Sequence, residues 1–326
     1  MRVCVPSLIL VSKERGSLNM ATSVLETISN EFAAAAELGG GGVVAVHARR
    51  WMPTSGIEWK KGVIVTANHG VRRDEDIKVL LPKGQVVAAK LAGRDPSTDL
   101  AVLRIDSNDT EGKSPRPKFG DSTTLKLGHL VLALARTRRG DLVASSGMIG
   151  GISGEWKSWR GGRLDQHIRL DLELYPGFSG GPLLNAKGEV VGMNTQGLAR
   201  GRAVTIPVAT VDRVVNELLE KGHITRPYLG IAMQPVALPD NVRSQLPAEV
   251  HMGLVIMHVE SGGPADKAGV LLGDVIVEVA GKPVEHIDAI QDLISTAKIG
   301  ETVATRLLRA GQIKAVSITL GEKSRG

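Results

Sequence analysis

Cysteine is almost absent from the 326-residue sequence, which contains only Cys4. A single cysteine can form neither an internal disulfide nor a zinc site built on cysteine pairs. The eight histidines show no spacing typical of metal ligands, so we expect no metal ion and no cofactor. The low cysteine content fits a bacterial cell envelope or periplasm as well as a cytoplasm, and it leaves the compartment undecided.

Long hydrophobic runs are also missing. Residues 3–12 are apolar, but Pro6 interrupts them, and the run is far shorter than the roughly 20 residues that a membrane-spanning helix needs. We therefore expect a soluble protein with no integral membrane segment. Residues 1–21 are predicted to form a flexible leader, with Met20 as an alternative start.

Charge of one sign is not concentrated anywhere in the chain. The formal net charge of +6 is modest for this length, and basic pairs such as Arg49-Arg50 and Arg138-Arg139 are scattered. No RNA- or DNA-binding motif accompanies them. The sequence therefore predicts no nucleic-acid partner.

Aromatic residues make up only 3% of the chain, whereas glycine occurs 39 times. The core must consequently be aliphatic, and the composition is typical of a turn-rich, mainly β protein. No helical pattern of 10–15 residues separates the β-branched runs, which argues against a doubly wound α/β sheet and favours antiparallel barrels or a sandwich. The predicted strands are 43–48, 62–67, 77–81, 86–91, 100–105, 130–135, 167–172, 190–195 and 203–207.

Turn sequences and helical periodicity complete the predicted layout. Pro82-Lys83-Gly84 and Ala186-Lys187-Gly188 are predicted hairpin turns. A helix is expected over 22–37, ended by the glycines at 39–42. A second is expected over 210–221, with Thr210 as its N-cap and Gly222 as its stop.

A second, smaller unit is predicted after this helix. Residues 222–227 indicate a linker, and residues 228–322 combine short strands with a helical pattern at 286–297. About ninety residues of this kind indicate one small α+β domain.

A possible nucleophile occurs in the stretch YPGFSGGPLL, where Ser179 stands among glycines. Serine is a weak nucleophile near neutral pH, so it needs a base within hydrogen-bond reach and a carboxylate to orient that base. His69 follows an apolar strand in VIVTANHGV, and Asp99 precedes another in TDLAVLRI. The order His, Asp, Ser is one known solution to this geometry.

Gly177 fits the same chemistry. A glycine at this position frees the backbone so that its N–H, with that of Ser179, can point at a developing oxyanion. G-F-S-G-G also satisfies the α/β-hydrolase pattern G-x-S-x-G. That fold needs its acid and histidine after the serine, where this chain has a strand and then histidines of the linker and second unit only. We therefore reject the α/β-hydrolase interpretation.

Four motifs carry a resemblance to a known family. TANH around His69, TDLAVL around Asp99 and PGFSGGPLLN around Ser179 resemble the trypsin-like serine proteases of the HtrA (Deg) family. In the second unit, YLGI and residues 260–284 are similar to the PDZ domain of that family. The resemblance implies a trypsin-like double β-barrel protease domain over 22–221, followed by a PDZ domain over 228–322.

The resemblance also implies a function and partners. It implies an endopeptidase that cuts unfolded or damaged proteins through a triad of His69, Asp99 and Ser179, and that assembles as a homotrimer. An oxyanion hole is expected at Gly177, Phe178 and Ser179. The PDZ domain is expected to bind peptide C-termini. Its predicted carboxylate-binding loop consists of Tyr228, Leu229, Gly230 and Ile231.

Some positions depart from the family pattern. Phe178 replaces the asparagine usual before the serine, and RTRRG at 136–140 replaces a GNPFG-like stretch. Glu173, six residues before the serine, is a candidate for the base of the specificity pocket, against the alternative of a surface glutamate. These departures leave open a proteolytically inactive chaperone or peptide-binding scaffold as the alternative function.

Overall fold

The computed structural model describes residues 23–106, 116–158, 160–199, 202–243, 246, 250–295 and 297–322. The predicted leader at 1–21 lies outside these residues. Within the described ranges, no helix is long and apolar enough to cross a membrane.

A first closed barrel follows an N-terminal helix, α1 (Val24–Gly40). Most residues of its strands are buried, whereas the ten-residue fifth strand alternates between buried and more exposed positions. The six strands run in the order β1-β2-β3-β6-β5-β4. They are β1 (Val43–His47), β2 (Thr54–Lys60), β3 (Val63–Ala67), β4 (Ile77–Leu80), β5 (Val86–Asp95) and β6 (Leu100–Arg104).

A second closed barrel has the order β11-β14-β13-β12-β7-β8. A short hairpin of β9 (Trp156–Lys157) and β10 (Arg163–Leu164) projects between its strands. The barrel strands are β7 (Leu130–Arg136), β8 (Leu142–Ser153), β11 (His167–Asp171), β12 (Pro182–Leu184), β13 (Val190–Thr195) and β14 (Val204–Pro207).

One apolar cluster joins the two barrels. It contains Val43 and Ile57 from the first barrel, Leu134 and Met193 from the second, and Val214 from the helix α2 (Val208–Lys221), all at most 1% exposed. Because the same residues serve both barrels, this cluster fixes their relative position.

The C-terminal unit is a small sheet with short helices. A two-stranded pair, β15 (Pro227–Tyr228) with β22 (Gly321–Glu322), holds its first and last residues together. The main sheet has the order β16-β17-β18-β20-β21, with β19 paired to β18. Its strands are β16 (Ile231–Ala237), β17 (Met252–Val259), β18 (Val275–Val279), β19 (Lys282–Pro283), β20 (Thr302–Arg309) and β21 (Gln312–Thr319). The helices are α3 (Asp240–Arg243), α4 (Pro264–Lys267) and α5 (Ile287–Ser295).

The mainly β double-barrel architecture with a small α+β unit confirms the predicted fold class. Gly222 ends α2 in the left-handed conformation, φ 78°, as predicted. The predicted N-cap at Thr210 is wrong, because the helix already begins at Val208. Instead, the Thr210 hydroxyl donates to the carboxylate of Asp165, 2.5 Å away.

The helix α1 also differs from its prediction at the C-terminal end. It runs through Gly39 and Gly40 instead of ending before them. A Cβ at Gly39 would lie 2.4 Å from a Leu184 methyl group, and one at Gly40 would lie 2.4 Å from Leu142. These glycines therefore allow the helix to lie close to the second barrel, and they do not act as breakers.

Candidate active site

His69 lies directly after β3, in a single 3₁₀ turn formed by Asn68–Gly70. The backbone N–H of Asn68 donates to the carbonyl of Asp99, 2.9 Å away. This bond joins the turn to the residue just before the neighbouring strand β6. The His69 side chain is 29% exposed. Its imidazole is therefore held by the barrel yet reachable from solvent.

Asp99 is the buried partner of His69. Its side chain is only 2% exposed, and its Oδ1 accepts the backbone N–H of His69 at 2.9 Å. Its Oδ2 lies 2.7 Å from His69 Nδ1 and also accepts the hydroxyl of Thr195. A carboxylate only accepts hydrogen bonds, so Nδ1 carries the proton and Nε2 is left as the basic nitrogen.

Ser179 sits on a tight turn between β11 and β12 and is 6% exposed. Gly177 and Gly180 on either side have φ of 98° and 89°, which only glycine adopts without strain. A Cβ at Gly180 would lie 2.1 Å from the carbonyl of Ser55 and 2.9 Å from the backbone nitrogen of Ala67, two residues before His69. The turn therefore presses against the strand end that carries His69.

The first barrel holds the backbone of this turn. Ser55 N–H lies 3.0 Å from the carbonyl of Gly177 and 3.1 Å from that of Ser179. The Ser55 hydroxyl also donates to Gly177, at 2.8 Å, and the Thr54 hydroxyl donates to Ser179. Strand β2 thus fixes the orientation of both peptide units around the serine.

Two backbone N–H groups of the turn are available to a ligand. Among the hydrogen bonds of the described residues, none uses the N–H of Gly177 or Ser179. The N–H of Phe178 donates to the carbonyl of Tyr175 at 3.0 Å, so this amide is engaged. The Phe178 ring is 4% exposed and packs in the core of the second barrel, 5.9 Å from the Tyr175 ring. It anchors the turn.

The structure thus brings His69 and Asp99 into direct contact and places the Ser179 turn beside them. Across the part of the chain that the structure describes, no hydrogen bond joins the Ser179 hydroxyl to His69. Catalytic hydrogen bonds are often long in unliganded enzymes and tighten with substrate.

Thr195 and Gly197 belong to this site, although sequence reasoning did not single them out. Thr195 donates to Asp99 and accepts the N–H of Gly197 at 2.8 Å. A Cβ at Gly197 would lie 2.5 Å from Asp99 Oδ2 and 2.8 Å from His69 Nδ1. Neither residue lies in a distinctive local motif, because both contacts cross from one barrel to the other.

The loop that carries Asp99 has a support of its own. Asp95, 3% exposed, accepts the backbone N–H and hydroxyl of Ser97 and the hydroxyl of Thr98. Arg226, just before the C-terminal unit, donates to both carboxylate oxygens of Asp95, at 2.9 and 3.1 Å. The hydroxyl of Ser158 donates to the Ser97 carbonyl at 2.6 Å. Hydrogen bonds within the loop, from Arg226 and from Ser158 therefore stabilise the loop that carries Asp99.

Glu173 is exposed, and its carbonyl accepts the hydroxyl of Ser145 at 2.7 Å. An exposed carboxylate gives no support to a role at the base of an enclosed specificity pocket. Within the described residues, no group of three or more His, Cys, Asp or Glu side chains is arranged to hold a metal ion.

The predicted peptide-binding loop precedes an open sheet edge. Leu229 is 3% exposed, and Gly230 has a φ of 75°. The carbonyls of Leu229 and Gly230 accept the N–H groups of Ala265 and Glu260, both at 2.9 Å. Outside strand ladders, no hydrogen bond of the described residues uses the N–H of Leu229 or Gly230. Among the described strands, the strand β16 that follows pairs only with β17.

Comparisons with known proteins find a match for the double barrel and a match for the C-terminal unit. A family model described as a trypsin-like peptidase domain matches residues 54–193, and one described as a PDZ domain matches residues 227–320. The chain is 38% identical over 267 residues to the serine protease Do-like HtrA of Lactobacillus helveticus, covering 77% of this chain and 63% of that protein. The chain is therefore similar to HtrA proteases over most of its length.

Another HtrA protease and a solved structure match at similar levels. The serine protease Do-like HtrA of Bacillus subtilis is 35% identical over 287 residues, covering 82% of this chain and 63% of that protein. The chain thus spans 63% of the length of both relatives. The crystal structure of the serine endoprotease from Yersinia pestis superposes with a TM-score of 0.69 at 29% identity, covering 90% of this chain and 98% of that one.

The departure from the HtrA pattern at 136–140 has a structural explanation. Arg136, 7% exposed, donates to the carbonyls of Val43 at 2.5 Å, Gly140 at 2.6 Å and Gly40 at 3.1 Å. Burial lowers the pKa of Arg136, yet an arginine stays charged at any physiological pH. The side chain links α1, the first barrel and the loop after β7.

Proposed function

We propose that the chain is a serine endopeptidase of the HtrA type that hydrolyses peptide bonds of unfolded or damaged proteins. One observation carries the proposal: the His69–Asp99 pair, closed by a 2.7 Å contact, lies beside a turn that presents Ser179 with two unengaged backbone N–H groups. We further propose the protease domain over 22–221, the linker over 222–227 and the PDZ domain over 228–322.

The proposed reaction is acyl transfer. His69 Nε2 accepts the proton of the Ser179 hydroxyl as its oxygen attacks the peptide carbonyl, and the carbonyl oxygen becomes the oxyanion. The N–H groups of Gly177 and Ser179 stabilise that charge, and each donor is worth about 10²–10³ in rate. His69 then gives the proton to the departing amine, and water hydrolyses the acyl-enzyme by the same steps.

Asp99 and Thr195 support this chemistry without reacting. Asp99 holds the imidazole tautomer and stabilises the imidazolium that forms in the transition state. Thr195 donates to the same carboxylate oxygen that contacts His69 Nδ1, so it fixes the direction of the contact.

The PDZ domain is proposed to bind peptide C-termini. The unengaged N–H groups of Leu229 and Gly230 would receive the terminal carboxylate, and Tyr228 and Ile231 flank them. The peptide would then add a strand to the open edge of β16.

A homotrimer is proposed as the assembly. The helix α1 exposes Val24, Leu25 and Ile28 by 75%, 79% and 40%. An apolar cavity of about 320 Å³ is lined in part by Ile28, Phe32 and Leu130. Light scattering on the purified protein tests the assembly: a monomeric mass at micromolar concentration would contradict it.

Two observations favour a non-enzymatic alternative. Among the hydrogen bonds of the described residues, none joins Ser179 to His69, and Phe178 occupies the position before the serine. A protease-like chaperone or scaffold would keep the PDZ site and lack acylation of Ser179.

Labelling with a fluorophosphonate probe separates the two functions. The wild type and Ser179→Ala are compared with and without unfolded casein. We expect labelling of the wild type that disappears in the alanine variant, together with casein cleavage. A folded wild type that remains unlabelled under every condition would refute the endopeptidase and favour the scaffold.

A further inference from the structure

A cationic cleft lies next to the candidate active site. It has a volume of about 570 Å³ and opens to solvent. Its lining contains three cationic side chains, Lys157, Arg169 and Arg202, together with the imidazole of His167, and none of the lining residues is acidic.

The positive charge of the cleft comes mainly from its arginines. Arg169 and Arg202 are exposed, and no ion pair of the described residues includes either of them. Arg169 donates to the carbonyl of Gly150 at 2.7 Å, which orients its guanidinium and leaves its other N–H groups available. Lys157 is paired with Asp292 of α5, so it contributes less.

His167 lines the cleft with an uncharged aromatic ring. Burial lowers its pKa, and the neighbouring Arg169 lowers it further, so the imidazole is neutral near pH 7. Its ring stacks on Trp156 with centroids 4.5 Å apart. Leu198 and Val204, both 1% exposed, add apolar side chains to the lining of the cleft. The cleft therefore suits a short apolar stem that ends in a negative charge.

The cleft is within reach of a bound substrate. Leu198 directly follows Gly197, where an added Cβ would lie 2.5 Å from the carboxylate of Asp99, so this end of the cleft lies near the His69–Asp99 pair. An extended peptide advances about 3.3 Å per residue. A substrate residue a few positions from a scissile bond at Ser179 can therefore reach the cleft.

We propose that this cleft binds an Asp or Glu side chain of the substrate, a few residues from the scissile bond, through Arg169 and Arg202. The proposal rests on the endopeptidase function proposed above and adds a preference for acidic segments of unfolded chains. A concave cationic site focuses its field on an approaching carboxylate, so the preference falls as salt is added.

Paired peptides test this preference. A quenched-fluorescent peptide of fixed apolar sequence receives one Asp, or one Asn of the same shape, at each position in turn. At one or two positions we expect the Asp peptide to have about fivefold higher kcat/KM than its Asn partner at low salt, as two partly exposed ion pairs would give. In Arg169→Gln/Arg202→Gln this ratio falls to about one. In Arg163→Gln, outside the cleft but on the β9–β10 hairpin, it is unchanged.

A binding measurement separates this proposal from the proposed function. Fluorescence anisotropy of the same labelled peptides with Ser179→Ala reports recognition without hydrolysis. Equal affinities for the Asp and Asn peptides, or a preference that survives removal of both arginines, overturn the acidic subsite even if the wild type hydrolyses the Asn peptides. A preference for Asp with no hydrolysis in any variant refutes the endopeptidase and keeps the subsite. Equal melting temperatures show that the variants are folded.

Discussion

Asp99 adopts the left-handed backbone conformation, with a φ of 57°. This conformation costs a non-glycine residue roughly 1–2 kcal/mol. Three hydrogen bonds stabilise Asp99 in this conformation. Its Oδ1 accepts the His69 N–H, its Oδ2 accepts the N–H of His69 Nδ1, and its carbonyl accepts the Asn68 N–H. The same bonds orient the imidazole, so backbone strain and catalytic geometry are coupled at this residue.

Gly197 offers a test at the residue scale. Gly197→Ala would place a methyl group 2.5 Å from Asp99 Oδ2 and 2.8 Å from His69 Nδ1, so the pair must separate. We expect kcat to fall by about 10²-fold or more, since a displacement of about 1 Å at a catalytic group has that effect. Peptidase kinetics and circular dichroism measure activity and folding separately.

The matched control for this variant is Gly154→Ala. A Cβ at Gly154 meets nothing within 4 Å, so kcat should remain at the wild-type level. Wild-type activity in Gly197→Ala would show that the His69–Asp99 contact does not govern the rate.

At the scale of single elements, three barrel strands are missing from the predicted strands, namely β2, β8 and the three-residue β12. Strand β2 reads TSGIEWK and is buried over six of its seven residues, including Thr54, Ser55 and Glu58. Polar side chains are buried there because hydrogen bonds satisfy them, such as those of Ser55 to the Ser179 turn. Strand β8 contains three glycines and three serines, so its β-branched signal is weak.

The sequence predicted the strands whose apolar runs are continuous and the three residues of the proposed triad, since each lies in a distinctive local motif. It could not predict Thr195, Gly197 or Arg226. Thr195 meets Asp99 across 96 residues, and Arg226 meets Asp95 across 131. Such contacts depend on how the barrels and the linker pack, which no local pattern encodes.

Arg226 in the linker stabilises the loop at residues 95–99, and its removal can be tested. In Arg226→Ala, the buried carboxylate of Asp95 loses its cation, and the loop that carries Asp99 loses one of its supports. We expect kcat to fall by about tenfold and the melting temperature to drop, because truncating one partner of a buried charge pair is strongly destabilising. Arg226→Lys should recover part of both losses.

Arg163→Ala serves as the comparison for the linker variant. Arg163 forms an exposed pair with Glu155, which is worth little to stability. If Arg226→Ala lost stability without any change in the pH profile or kcat of the remaining folded enzyme, its role would be structural only.

At the scale of the whole molecule, the two domains have separate cores, and the PDZ core is the smaller one. Within it, Asp274 is 2% exposed and receives two hydrogen bonds from Arg309, at 2.7 and 2.8 Å. Burial alone would raise the pKa of Asp274. The bonds from Arg309 and the Leu271 N–H, with the charges of Arg309 and Lys314, outweigh burial and hold the pKa below its usual value.

Acid should therefore destabilise the PDZ domain through this pair. The carboxylate form stabilises the fold at any pH above the unfolded-state pKa of about 3.9, and the contribution disappears as pH falls through the lower folded-state pKa. We expect Asp274→Asn to lower the free energy of unfolding by about 1–3 kcal/mol at pH 6. Near pH 3, the difference from the wild type should shrink. Urea unfolding at both pH values measures it, and a difference independent of pH would contradict the assignment.

The pairing of β15 with β22 has a consequence for the modularity of the chain. Because the first and last strands of the PDZ domain are hydrogen-bonded to each other, the two ends of the domain lie next to each other. A domain with adjoining ends can be exchanged for another, or inserted into a loop elsewhere, without rerouting the chain around it. We therefore expect chimaeras in which residues 227–322 are replaced by another PDZ domain to fold with the protease domain intact.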